Sequence, residues 1–84
     1  YREIARAMGV EGIDSMTQDE YRKAACEAVK QLSMDVGIPA DLKAIVKDED
    51  VQFLSESAYA DACRPGNPRD TSVEEIAALY RSLL

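Results

Sequence analysis

At 84 residues the chain is one small domain or part of one, and any core it builds is small. Sixteen acidic residues against ten basic ones leave a net charge of −6, and no cluster of Lys or Arg stands out, which argues against nucleic acid or an anionic membrane surface as partner. No apolar run approaches the roughly 20 residues needed to span a bilayer.

The chain opens with YREIARAMG, already in a helical pattern and without a methionine or a cap before it. The expectation is a piece of something longer, with a processed mature protein as the alternative. Residues 1–8 read as a helix end with Ile4, Ala5 and Met8 on one face, stopped by Gly9. Residues 10–16 read as a linker with Ile13 and Met16 as apolar anchors. Thr17 and Glu20 then form a capping box, hydroxyl to first-turn amide and carboxylate back to the cap amide. A long amphipathic helix of about 30 Å follows, with the shorter segments expected to pack around it. Tyr21, Ala25, Ala28, Leu32 and Val36 recur at three- and four-residue steps as its apolar face. Asp19, Lys23, Glu27 and Lys30 make a face of alternating charge. Gly37 suits the left-handed position beyond its end, Ile38 is placed to fold back onto Leu32, and Pro39 stops the helix.

Residues 40–46, ADLKAIV, read as a short helical turn with Leu42, Ile45 and Val46 facing in. The acidic junction Asp48-Glu49-Asp50 suits a helix N-terminus, and a helix from about Asp48 to Ala62 is expected. Its apolar face would be Val51, Leu54, Ala58 and Ala62, with Phe53 flanking. CRPGNPRD, residues 63–70, is the one stretch rich in turn residues, because Pro65, Gly66 and Pro68 forbid a regular helix. Ser72 with Glu75 is a second capping box, and Thr71 with Glu74 offers the next register. The last helix carries Val73, Ile76, Ala77, Tyr80 and Leu84 on one face. No segment alternates with period two, so no strand is expected. The reading is all-α, a small helical bundle of about four to five helices.

The chain contains no histidine, the commonest metal ligand and general base. Its two cysteines, Cys26 and Cys63, lack the close pairing of zinc sites. They fit a reducing, cytoplasmic setting better than a disulfide scaffold. Cys26, among alanines, reads as a small buried apolar residue. Asp48-Glu49-Asp50 resembles the start of a calcium loop, but Gln52 and Phe53 stand where an oxygen ligand and a glycine are required. No dinucleotide fingerprint, phosphate loop or nucleophile elbow is present. The residues therefore offer no catalytic and no metal-ligating candidates. Only CRPGNPR draws attention: Cys63 at a helix end, then a constrained loop with Asn67 and Arg69, lines a pocket or simply turns the chain.

LSMDVGIPADLK (32–43), KDED (47–50), DACRPGNPR (61–69) and SVEEIAALYR (72–81) occur in an order and spacing that resemble the C-terminal end of iron-containing, group III alcohol dehydrogenases. The match covers essentially all of the chain. Within that family the chain resembles the branch holding lactaldehyde reductase (1,2-propanediol oxidoreductase) and similar bacterial alcohol dehydrogenases. The resemblance implies a parent protein with an N-terminal NAD(P)-binding α/β domain and a C-terminal all-helical metal-binding domain, of which residues 1–84 are the final part. It implies iron, or another divalent metal such as zinc, held by one aspartate and three histidines upstream, with the Gly-rich coenzyme loop upstream as well. The substrate would be a small alcohol or aldehyde, and the assembly a homo-oligomer such as a dimer. Cys63 matches a family cysteine near the nicotinamide and substrate, so it is a candidate pocket-lining residue, with Asn67 and Arg69 shaping its loop. Hydride transfer needs no nucleophile, and none is assigned. In one departure, Ile45-Val46-Lys47 runs straight through where many relatives carry an extra glycine. A reading from another class stays beside this one: a free-standing acidic helical domain that binds a protein partner between its helices.

Overall fold

The computed structural model describes residues 1–84 and contains four α-helices and no strand, as the sequence implies. None of the helices is long and apolar enough to cross a membrane. The chain divides into two compact units, Tyr1–Ala40 and Asp41–Leu84, each built on one pair of helices.

In the first unit, helix α1 (Arg2–Ala7) packs against helix α2 (Gln18–Asp35). Two similar stops shape this pair. Beyond α1, Gly9 adopts φ 82°, its N–H donates to the Arg6 carbonyl (3.0 Å), and the Val10 N–H donates to the Ala5 carbonyl (3.0 Å). Beyond α2, Gly37 adopts φ 79°, its N–H donates to the Met34 carbonyl (3.1 Å), and the Ile38 N–H donates to the Ser33 carbonyl (2.8 Å). Both are Schellman motifs, in which a left-handed residue turns the last amides back onto orphan carbonyls. At its start α2 has the full capping box: Thr17 Oγ1 accepts from the Glu20 N–H and Glu20 Oε1 accepts from the Thr17 N–H, each at 3.3 Å. A single 3-10 turn, Ile13–Ser15, lies between the helices. Ala5, Ile13 and Ala25 form the buried core, with Val10 and Tyr21 packed against it and the Arg2 guanidinium over the Tyr21 ring at 5.1 Å.

The apolar stripe of α2 is covered only along its first half. Tyr21, Ala25 and Ala28 are buried or half-buried, while Leu32 and Val36 are exposed, because α1 is six residues long and reaches no further. Ile4 is likewise exposed although Ala5 beside it is fully buried. Cys26 is exposed, correcting the expectation of burial. One helical step of 100° separates it from buried Ala25 and carries it off the contact stripe.

In the second unit, helix α3 (Val51–Tyr59) packs against helix α4 (Val73–Ser82). A hydrogen-bonded turn comes first: the Ile45 and Val46 amides donate to the Leu42 carbonyl (3.0 and 2.9 Å), and the Leu42 amide donates to the Leu83 carbonyl (2.9 Å). Leu42 and Val46 are half-buried as expected, but Ile45 is 79% exposed. Asp48–Asp50 forms a separate 3-10 turn, with Asp50 Oδ2 accepting from the Lys47 N–H (2.9 Å). Arg81 on α4 pairs with Asp48 across 3.7 Å.

Helix α3 is shorter than the expected Asp48–Ala62, so Ala62 falls outside it and is exposed. Two side chains end it. Asp61 Oδ1 accepts from the Cys63 N–H (2.7 Å), a local turn that competes with helix continuation, and Arg64 Nε donates to the Tyr59 carbonyl (2.7 Å). The buried face of α3 keeps Val51, Leu54 and Ala58 of the expected one and adds Ser55. Val51 and Ser55 are fully buried, Leu54 and Ala58 are half-buried, and Phe53 is 71% exposed. Ser55 tolerates burial because its hydroxyl donates to the Val51 carbonyl (2.6 Å). Helix α4 matches its expected face, with Ala77 buried and Val73, Ile76, Tyr80 and Leu84 half-buried. Of the two possible caps it uses Ser72 with Glu75: Ser72 Oγ accepts from the Glu75 N–H (3.1 Å) and Glu75 Oε2 accepts from the Ser72 N–H (2.9 Å).

Candidate functional site

The end of α3 and the start of α4 hold a loop whose only regular piece is a 3-10 turn at Arg64–Gly66. Pro65 sits in the first positions of that turn, where its missing N–H costs nothing. Cys63 precedes the turn and Asn67 follows it, with the Asn67 N–H donating to the Arg64 carbonyl (3.0 Å). Cys63 and Asn67 both line an open hollow of about 400 Å³. Ile76 and Leu79 of α4 and Ala58 of α3 give it apolar walls, and Asp61 and Arg64 give it charged ones.

Two of the three residues singled out in the sequence therefore meet. Cys63 and Asn67 share one hollow; Arg69 does not join them. Arg69 opens onto a neighbouring hollow of about 320 Å³ with Thr71, Glu75 and Ser82. Its guanidinium donates to Glu75 Oε1 at 3.0 Å, while the other oxygen of Glu75 caps α4. Arg69 thus ties the loop to the first turn of α4.

Sequence reading passed over Arg64, the best-anchored side chain of the loop. Its Nε donates to the Tyr59 carbonyl (2.7 Å), its Nη1 to Asp70 Oδ1 (3.0 Å), and its guanidinium lies 4.1 Å from the centroid of the Tyr59 ring. Spacings of five and six residues within an irregular loop follow no helix or strand period, so periodicity carries no signal for them. Asp61 was legible in principle, since an aspartate two residues before a turn amide is an Asx-turn signature.

The Cys63 thiol is exposed, and the chain carries no histidine. No group of three His, Cys, Asp or Glu side chains converges anywhere in the chain in a way that would hold a metal ion. Cys26 lies in the first unit, beside Tyr1, Arg22 and Lys23, and takes no part in the loop.

Comparison with known proteins places this geometry in context. The model of the Fe-containing alcohol dehydrogenase family, C-terminal, matches residues 1–84. Lactaldehyde reductase of Escherichia coli strain K12 is 46% identical over 83 residues, covering 98% of this chain and 22% of that protein. The 1,3-propanediol dehydrogenase of Klebsiella pneumoniae is 37% identical over 82 residues, covering 96% of this chain and 21% of that protein. NAD-dependent methanol dehydrogenase of Bacillus methanolicus is 28% identical over 85 residues, covering all of this chain and 22% of that protein. The chain spans about a fifth of the length of these relatives.

Proposed function

The chain belongs, over residues 1–84, to the Fe-containing alcohol dehydrogenase family as its C-terminal part, and from that premise we propose that the protein carrying it is a metal-dependent NAD(P) oxidoreductase interconverting short alcohols and aldehydes. The observation that carries the reading is the unbroken family match, joined by relatives named for lactaldehyde, 1,3-propanediol and methanol. Within that protein the chain's task is structural. Its two helix pairs pack the end of the helical domain, and Cys63 and Asn67 wall one side of the substrate cleft. A hollow with apolar walls and a few polar groups at its rim supports this, since such a surface binds a small alcohol or a nicotinamide edge without reacting with it. The protein is expected in the cytoplasm, as a homo-oligomer such as a dimer.

The donor set of this chain does not fit a divalent metal: it has no histidine, and no three acidic or thiol side chains converge. The metal of the family would be held by residues outside residues 1–84, and no step of the reaction is assigned to side chains within them.

The test is a paired assay. The complete protein and the 84-residue chain are expressed separately, and NAD(P)H absorbance is followed with propanediol or lactaldehyde, with and without a chelator. Chelator-sensitive turnover by the complete protein, with none by the chain alone, is the expected result. A complete protein loaded with iron or zinc that moves no hydride sinks the reading. A chain that is then monomeric and well folded by itself points instead to a helical interaction domain.

A further inference from the structure

The loop joining α3 to α4 is held from its middle. Arg64 reaches back to Tyr59, the last residue of α3, and forward to Asp70, two residues before the Ser72 cap of α4. The same guanidinium stacks on the Tyr59 ring at 4.1 Å. Its side chain is 23% exposed, whereas every other arginine in an ion pair of this chain is about half exposed or more. Three contacts from one planar group fix the loop's two ends at once. Cys63 and Asn67 hang on the 3-10 turn that Arg64 begins.

We infer that Arg64 is the positioning residue of the cleft wall, setting the distance and orientation of Cys63 and Asn67 without itself taking part in the chemistry. This rests on the reading that Cys63 and Asn67 line the substrate cleft. The chemistry of the guanidinium carries the inference. It offers several N–H donors in a rigid fork and a flat face that stacks on an aromatic ring. A lysine ammonium supplies charge and donors but no fork and no plane, so it cannot satisfy the Tyr59 carbonyl, the Asp70 carboxylate and the Tyr59 ring together. A wall that contacts the substrate equally in the ground and transition states acts on uniform binding, so its displacement raises KM and leaves kcat.

The experiment compares wild type, Arg64→Ala, Arg64→Lys and Asp70→Asn in the full-length protein. Two readouts are taken: KM and kcat for propanediol and lactaldehyde, and the alkylation rate of Cys63 by iodoacetamide, resolved by peptide mass spectrometry with Cys26 as the reference thiol. For Arg64→Ala and Arg64→Lys alike, KM is expected to rise about tenfold with kcat held within about threefold. The Cys63 thiol is already exposed, so its alkylation rate reports its surroundings and not its access; it is expected to shift at least about fivefold as the loop loses its fixed geometry, with Cys26 unchanged. Asp70→Asn, which removes one charge-assisted contact and leaves the stack, is expected to give about a threefold rise in KM. Three results overturn the assignment: KM and Cys63 alkylation within twofold of wild type in Arg64→Ala; wild-type behaviour of Arg64→Lys; or a lowered Tm with neither readout moved. If wild type transfers no hydride, the functional reading fails instead, and alkylation alone then decides for or against Arg64.

Discussion

Ser55 separates two accounts of how α3 and α4 pack. Its side chain is completely buried on a face otherwise made of Val51, Leu54 and Ala58, and its hydroxyl donates to the Val51 carbonyl at 2.6 Å. If the position needs the hydroxyl, Ser55→Ala should be costly; if it needs small volume, Ser55→Val should be. The balance favours volume. Losing the Oγ bond removes about 0.5–1.5 kcal/mol of net stabilisation. The Val51 carbonyl keeps its ordinary backbone partner one turn on, so no buried acceptor is orphaned. Alanine also exceeds serine in helix propensity by up to about 0.7 kcal/mol, and its methyl suits an apolar site. These terms nearly cancel, and Ser55→Ala should lie within about 1 kcal/mol of wild type. Valine adds bulk to a site with no free surface, at about 1–3 kcal/mol for overpacking. The assay is native-state amide exchange of α3 and α4 in the full-length protein, where about 1.4 kcal/mol reads as a tenfold loss of protection. Ser55→Ala should keep protection within about fivefold, and Ser55→Val should lose roughly ten- to a hundredfold. Equal losses in the two variants would refute the volume argument and make the hydroxyl the reason for serine.

Three further outcomes follow from the same physics. Ser72→Ala removes half of the α4 capping box and should cost about 1 kcal/mol, read as faster exchange in the first turn of α4 with α2 unaffected. Gly37→Ala should cost about 1 kcal/mol purely through its backbone at φ 79°, since a Cβ there meets nothing within 4 Å; a circular-dichroism melt showing no change would mean that the stop of α2 is not left-handed in solution. The chain expressed alone exposes Met34, Val36, Ile38, Ile45, Phe53 and Leu79 around very small cores, so it should self-associate and bind an apolar dye; a monodisperse monomer by light scattering with a cooperative melt would contradict this.

What was legible in the sequence follows how local the signal is. Both side-chain capping boxes and the Gly37 stop stand where their residues imply, because each is settled by a few neighbouring groups. The face of α4 was legible because its apolar residues keep an unbroken helical step. The face of α3 was legible in Val51, Leu54 and Ala58, but not in Ser55, which is buried among them and carries no hydrophobic signal. The end of α3 was missed for a related reason. No glycine or proline marks Ala60, and the stop is made by Asp61 and Arg64, whose side chains act from beyond the helix. Coverage is the least local property of all. The stripe of α2 is correct as a pattern, yet Leu32 and Val36 stay bare because burial depends on the length of α1, which the stripe does not encode. At the candidate site, composition pointed to the loop with Cys63, Asn67 and Arg69, while Arg64, which bonds to both ends of that loop, shows no period.

The loop also shows why one arginine can matter where several charges do not. Six of the seven ion pairs in the chain join groups that are both about half exposed or more, and such pairs contribute about 0–1 kcal/mol each. Removing Arg69 would therefore loosen one surface contact while Ser72 and Glu75 still hold the α4 cap. Arg64 differs in kind. Its stem and plane are largely covered, its carbonyl partner is an orphan of the helix end, and its second partner lies at the far end of the loop. Losing it leaves the Tyr59 carbonyl without that donor and releases the closure of a loop whose ordering has an entropic cost that the remaining contacts are too exposed to offset. A loop is as precise as the group that closes it, and here that group is a single side chain next to Cys63.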